Sequence, residues 1–221
     1  MRGRILVGAI VLIIPAAMLG MFGFLRFTDG VARDSAIPVP GSMIAGERLP
    51  KGAYVAAYDA LAGADPGDGD AAIVRGEAAR FAGLPGRLQI NLFEQGLTRS
   101  PASVRGWTLL TLSSAEIDPP LAASALGQAL LLAPADFWTA DMRAVAAAGL
   151  WNHLDKDAQA EALAQTRLLW EEPLLRSAFF DLLATAGGRQ LITRAFAGNG
   201  DELISLNRWI SAQKRKAASS R

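Results

Sequence analysis

The sequence predicts an all-α protein in which one N-terminal transmembrane helix precedes an α-solenoid of stacked helix hairpins. Three observations lead to this fold class. An uncharged, strongly apolar run opens the chain, apolar residues later recur at helical spacing, and prolines end alanine-rich apolar runs about one repeat apart. No segment has the alternation of apolar and polar residues that is typical of a β-strand.

The composition limits the classes of function that the chain can have. It contains 221 residues, of which 51% are hydrophobic and 19% are charged, and this apolar balance favours a membrane segment. The formal net charge of +1 gives no reason to expect a nucleic-acid partner. The chain has no cysteine, which excludes disulfides, thiolate metal ligands and cysteine catalysis.

Residues 5–25 are predicted to span a membrane. The 21 residues of this run carry no charge, and Arg4 and Arg26 flank them. A helix of this length just crosses a hydrocarbon core of about 30 Å. A cleaved signal peptide is the alternative, since residues 30–32 loosely resemble a cleavage site, but they lie far from the apolar run. We therefore interpret residues 1–27 as an uncleaved anchor.

The charges that flank this run favour a cytoplasmic N-terminus and a periplasmic C-terminal domain. Arg2, Arg4 and the terminal amine lie on the short side, and Arg26 and Arg33 lie on the long side. Positive charges near the ends of a membrane helix tend to stay inside, and here the amine makes the difference. The excess of arginine over lysine and the many alanines indicate a bacterial source. The predicted location is therefore the inner (plasma) membrane, crossed once.

Residues 28–52 are predicted to form a flexible spacer. This segment holds three prolines and four glycines and lacks a helical apolar period. We expect it to hold the following helical domain, residues 53–217, away from the bilayer. Residues 218–221 are predicted to form a short tail.

Within residues 53–217 the pattern predicts about ten helices joined by short loops that contain proline or glycine. Gly187 and Gly188 are expected to end the helix that follows Pro173. The predicted helix starts are Asp70, Ser100, Pro119, Asp136 and Asp155. Two-helix units recur about every 30 to 40 residues, which is typical of an α-solenoid. A lone helix hairpin cannot bury its apolar face, so the hairpins stack and bury a continuous core.

One of these units has recognisable spacing. Its first helix carries Trp107 and, three residues later, Leu110; its second helix carries Ala122, Leu126, Ala129 and Pro134. In these residues the chain resembles the tetratricopeptide repeat (TPR) family, whose unit is a helix pair of about 34 residues. Pro101 and Pro134 are 33 residues apart, while Thr111 and Ser114 depart from the Gly or Ala and the Tyr of the family. The preceding unit matches at Phe93, Gly96 and Pro101, so the resemblance covers about residues 88–135.

The resemblance implies a concave surface lined by first-helix residues, on which an extended or helical segment of a protein partner lies. By register, the partner-binding residues would be Arg105, Thr108, Leu112 and Glu116. An ordinary solvated helix face is the alternative interpretation of these four positions. A homo-oligomer is also compatible with such a fold.

The tryptophans provide a second indication of helix packing. They stand at positions 107, 138, 151, 170 and 209, and three of these positions are about one repeat apart. Tryptophan at this spacing is more often part of the core between helices than a platform for sugars. We therefore expect Trp107, Trp138 and Trp170 to pack between helices.

The sequence contains no recognisable catalytic, metal-binding or cofactor-binding motif. His153 is the only histidine and is interpreted as a structural residue near a helix end. Glu171 and Glu172 are adjacent, so on a helix they point about 100° apart and do not converge. In the stretch DPGDGD, position 12 counted from Asp65 is Gly76, not the Glu of a calcium loop. We predict no enzyme activity, no cofactor and no metal.

These observations favour a membrane-anchored scaffold that docks protein partners in a bacterial cell-envelope complex, for example in polysaccharide export or outer-membrane assembly. The resemblance to TPR proteins implies this class of accessory factor. A periplasmic client-binding or chaperone module, such as an accessory factor of cytochrome maturation, is the alternative. A glycan-processing enzyme is the third hypothesis, and the missing acid–base residues argue against it.

Overall fold

The computed structural model describes residues 49–64 and 67–219. Within these ranges it contains ten α-helices and no β-strand, which confirms the all-α prediction. In the same part of the chain, each helix is too short or too polar to cross a bilayer. The predicted anchor at residues 5–25 and all but the end of the predicted spacer at residues 28–52 lie outside the described residues.

The chain divides into two compact units, Met1–Ser100 and Pro101–Arg221. The described part of the first unit contains three helices and a 3₁₀ turn at Leu61–Gly63. The helices are α1 (Lys51–Ala60), α2 (Gly69–Phe81) and α3 (Gly86–Arg99). The sequence instead predicts one helical domain over residues 53–217, in which Ser100 is a predicted helix start.

Close contact between α2 and α3 dominates the first unit, and glycine makes this contact feasible. A Cβ atom added at Gly96 would lie 2.6 Å from Ile73 Cγ1 and 2.8 Å from the backbone oxygen of Gly69. One added at Gly76 would lie 2.8 Å from Cε1 of the fully buried Phe93. Helices that meet in this way leave no room for a larger residue at either glycine.

The second unit contains seven described helices and a 3₁₀ turn at Trp151–His153. The helices are α4 (Val104–Ser114), α5 (Pro119–Leu132), α6 (Ala140–Leu150), α7 (Lys156–Glu171), α8 (Ala178–Ala184), α9 (Ala186–Ala195) and α10 (Gly200–Ser219). Helices α4 and α5 pack as a hairpin, α5 packs on α6 and α7, and α9 packs on α6, α7 and α8.

Small and large apolar residues alternate in the core of the second unit. Ala122, Leu126 and Ala129 on α5 are completely buried, so the small alanines let neighbouring helices approach while the leucine fills the space. Aromatic rings close the core near its C-terminal end. The Trp170 ring packs edge-on against those of Phe179 and Trp209, with 6.2 Å between centroids in both pairs.

The prolines lie at the corners of the fold, as the repeat pattern predicts. Pro101 is in the turn before α4, Pro119 is the first residue of α5, and Pro134 is in the turn after α5. Pro119 fits the first helical position because its missing N–H has no partner there in any case. Asp118 completes this helix start, since its carboxylate accepts the N–H of Leu121 at 3.1 Å.

Two predicted N-caps were wrong by one turn or less. Asp68, not Asp70, caps α2, and Ser103, not Ser100, caps α4; each side chain accepts a backbone N–H from the first turn at 3.1 Å. The sequence offers two cap-forming residues close together at both places. The backbone decides between them: Asp68 and Ser103 have the non-helical dihedrals that a cap requires, whereas Asp70 already belongs to the helix.

Gly187 and Gly188 do not end a helix, contrary to the prediction. Helix α8 stops before Thr185, whose hydroxyl accepts the N–H of Gly188 at 3.0 Å and so starts α9. A Cβ atom at Gly187 would lie 2.5 Å from the backbone oxygen of Ala148, and one at Gly188 would collide with that of Leu182. The pair therefore allows close approach of backbones, which a sequence pattern does not distinguish from a helix stop.

Candidate functional site

The four residues predicted to bind a partner lie on α4 and in the turn that follows it. Arg105 and Leu112 are half-buried, Thr108 is buried and Glu116 is exposed. The Thr108 hydroxyl donates a hydrogen bond to the backbone oxygen of Val104 at 2.9 Å, and Leu112 packs against the core. The four side chains thus differ in their access to solvent, and partner binding at these positions stays a prediction.

A groove of about 460 Å³ lies between α5 and the N-terminal part of α7 in the second unit. Residues of α5 three or four positions apart form one wall, because such residues share a helix face. They are Pro120, Ala123, Ser124, Gly127, Gln128 and Leu131. The 3₁₀ turn and the start of α7 form the other wall with His153, Asp155, Asp157, Ala158 and Glu161.

The two walls meet where their side chains are smallest. Ala123 and Ala158 are buried, and a Cβ atom added at Gly127 would lie 3.8 Å from the Cβ of Ala158. This distance is an ordinary van der Waals contact, so a methyl group at Gly127 would fit without a clash, unlike one at Gly96 in the first unit. Small residues at the contact give the groove its depth.

The wall formed by α7 is negatively charged. It carries the carboxylates of Asp155, Asp157 and Glu161, and neither Lys nor Arg occurs among the described residues that line the groove. Asp155 is engaged, since it caps α7 by accepting the N–H of Ala158 at 2.7 Å, as predicted. Within the described part of the chain, no hydrogen bond or ion pair engages the carboxylate of Asp157 or of Glu161. Their charges are therefore available to a ligand.

A buried arginine fixes the loop that follows α5. Arg143 on α6 is 0% exposed, and its guanidinium donates to the backbone oxygens of Ala129, Ala133 and Asp136 at 3.0, 2.7 and 2.9 Å. Burial lowers the pKa of Arg143, and the Asp136 carboxylate opposes this shift. The group nevertheless stays charged, because an arginine pKa lies far above neutral pH. This cation joins the end of α5 to α6 through residues 133–139.

Asp136 organises the same loop instead of opening a helix, which corrects the predicted helix start. One of its carboxylate oxygens accepts the Thr139 hydroxyl at 2.6 Å, and the other accepts the N–H of Trp138 at 3.3 Å. Such local bonds compete with helical hydrogen bonding. Helix α6 consequently begins at Ala140.

The last turn of α5 and this loop display four large apolar side chains, which we name the apolar loop surface. They are Leu131 (72% exposed), Leu132 (42%), Phe137 (47%) and Trp138 (74%). The prediction that Trp138 packs between helices is therefore wrong, whereas Trp107 and Trp170 are half-buried. Exposed aromatic residues on a fixed backbone are typical of protein-binding surfaces.

The other predicted candidates do not assemble into a reactive group. His153 is exposed at the end of its 3₁₀ turn, where it lines the groove, and Glu171 is the last residue of α7. Asp68 is occupied as the cap of α2, and Asp65 lies outside the described residues. The described ranges contain no group of three or more His, Cys, Asp or Glu residues that could hold a metal ion.

The candidate site of the second unit thus consists of the α5–α7 groove and the apolar loop surface, which share Leu131. It combines an apolar end, an exposed aromatic residue and a negatively charged wall. No protein-family model, curated protein or solved structure matches this chain.

Proposed function

We propose that this chain is a membrane-anchored scaffold that docks protein partners in a bacterial cell-envelope complex, for example one for polysaccharide export or outer-membrane assembly. In this proposal residues 5–25 anchor the chain in the inner membrane. The helices from residue 53 to residue 217 form a TPR-like α-solenoid on the periplasmic side. The helical hairpin of α4 and α5 is the part with the most TPR-like spacing.

The apolar loop surface is the observation that carries the proposal. Trp138 is 74% exposed on a loop that Arg143 and Asp136 hold in one conformation. A side chain on a fixed backbone loses little conformational freedom when a partner covers it, so more of the contact energy remains as affinity. Tryptophan is also among the residues that contribute most to protein interfaces.

Site-specific photo-crosslinking in intact cells tests this proposal. The full-length chain carries a photoreactive phenylalanine analogue at Trp138 or, as a matched control, at Leu174, which is exposed and apolar but lies on another loop. We expect one or a few adducts of defined mass from position 138 and none of these from position 174. Equal labelling at both positions, or no adduct from position 138, contradicts the proposal.

The same apolar loop surface also favours the alternative, a periplasmic client-binding or chaperone module such as a cytochrome-maturation accessory factor. Such a module would bind many unfolded chains, so position 138 would give a broad smear of adducts instead of defined bands. A glycan-processing enzyme, the third hypothesis, would turn over a glycan and lose this turnover in Asp or Glu variants.

A further inference from the structure

Building on the proposed function, we propose that the α5–α7 groove binds a short, basic, amphipathic helix of the partner protein. The charge of the groove is the first argument. Asp157 and Glu161 are four residues apart on α7 and so lie on one helix face, and both line the groove without an ion-pair partner in the described residues. Lysine or arginine side chains of a partner would complement this wall.

The dimensions of the groove support a helical occupant. The α5 wall runs from Pro120 to Leu131, which at about 1.5 Å per residue is about 16 Å, or three helical turns. A partner segment that binds by adding a strand would need a free sheet edge, and the described ranges contain no strand. A helix instead lays its apolar face between two helices and contacts both of them.

The polarity of the groove sets the order of contacts. Its apolar end is at Leu131, which also belongs to the apolar loop surface, and its carboxylates lie on the opposite wall. An amphipathic helix would place apolar residues against Ala123, Gly127 and Leu131 and basic residues against α7. The same partner would then continue onto Trp138, so that one ligand uses both parts of the candidate site.

A second copy of the chain is the competing occupant of this groove. Its basic residues include Lys214, Arg215 and Lys216 at the end of α10. Such a contact would make the chain self-associate, as a two-fold pair, a ring or an open chain, whereas a partner helix binds a single copy.

Peptide binding to the full-length chain tests the inference. The chain is reconstituted in nanodiscs of phosphatidylcholine, whose headgroup has no net charge. The probe is a fluorescent helical peptide of about 14 residues with leucines on one face and lysines beside them. Its two controls carry glutamate in place of lysine or serine in place of leucine. We expect the basic amphipathic peptide to bind, more weakly as salt is raised, and both controls to bind at least about tenfold more weakly.

A pair of charge-matched variants locates the binding. Asp157→Asn with Glu161→Gln removes two groove carboxylates, and Asp181→Asn with Glu171→Gln removes two exposed carboxylates elsewhere in the second unit. We expect the groove pair to weaken peptide binding about three- to tenfold and the control pair to change it less than about twofold. Asp155 is left intact because it caps α7.

Several results would overturn the inference. These are equal binding of the glutamate peptide, equal weakening by both variant pairs, and a self-associated chain that the groove pair dissociates. The test also separates the inference from the proposed function. A defined adduct at position 138 without binding of the basic peptide supports the scaffold and rejects a basic partner helix. Absence of both the adduct and peptide binding rejects both the proposed function and this inference.

Discussion

Helices meet through glycine in both units, but the space around the glycine differs. In the first unit a Cβ atom at Gly96 would lie 2.6 Å from Ile73 Cγ1, whereas in the second unit one at Gly127 would lie 3.8 Å from Ala158 Cβ. The glycines of α2 and α3 allow two helices to touch. Gly127 instead leaves a recess beside a helix contact. The same residue type thus makes a tight helix contact in one unit and lines an open groove in the other.

The second unit also depends on a buried charge, and its removal should have the largest effect. Arg143→Leu removes the buried guanidinium that donates to three backbone oxygens, although those of Ala129 and Ala133 each keep one backbone N–H donor. We expect the free energy of unfolding to fall by about 3 kcal/mol. Chemical denaturation of the full-length chain measures this loss. Hydrogen exchange should also increase in residues 133–139. The control is Arg189→Leu, which removes one exposed hydrogen bond and should change stability by less than about 1 kcal/mol. Equal effects of the two variants would show that Arg143 does not fix the loop.

A methyl group at the tight glycine contact should have the next largest effect. Gly96→Ala would press against the backbone of Gly69, which cannot move aside like a flexible side chain. Overpacking outweighs the better helix propensity of alanine, so we expect a net loss of about 1 to 2 kcal/mol. Increased hydrogen exchange confined to α2 and α3 would identify the first unit as the site of the loss. Unchanged exchange there would mean that the two helices are less closely packed than described.

The matched substitution in the groove should have the opposite sign. The methyl group of Gly127→Ala would fit in ordinary contact with Ala158, and the change replaces glycine within a helix, so we expect stability to rise by about 0.5 to 1 kcal/mol. A denaturation midpoint above that of the unsubstituted chain is the expected observation. A loss of stability like that of Gly96→Ala would remove the difference between the two units on which the groove rests.

Substitution of Trp138 should have the smallest effect on stability and the largest effect on partner binding. Trp138→Ala removes a side chain that contacts mainly solvent, so the free energy of unfolding should change by no more than about 0.5 kcal/mol. Partner adducts should be greatly reduced, as measured by crosslinking from the neighbouring position 137. A large loss of stability would show instead that the indole packs on the protein.

The helices were predictable because their determinants are local. Apolar spacing, Pro119 at a helix start and Asp155 as a cap all lie within one or two turns of the feature that they define. The two wrong N-caps are each close in sequence to the true cap, as Asp70 is to Asp68. The meaning of Gly187 and Gly188 depends on backbone atoms of other helices, which no local pattern contains.

The candidate site was much less predictable. Arg143 donates to backbone oxygens, which every residue has, so no residue type in the sequence identifies its partners. Arginine is also ordinarily a surface residue, so its burial was not expected. The groove joins α5 to residues about one repeat later, and only the packing of the helices brings them together. Trp138 was predicted to pack between helices because it lies about one repeat from Trp107 and Trp170, and this spacing does not report the loop at residues 133–139 that exposes it.

The exposure of Trp138 and Leu131 also has a consequence for cells that make this chain in excess. Under the proposed function, every copy without its partner exposes the apolar loop surface to the surrounding proteins. Such copies would aggregate or be degraded, while partner binding would stabilise the folded state of the bound copies. The steady-state abundance of the chain would then follow the supply of its partner, even when its own synthesis rate is raised.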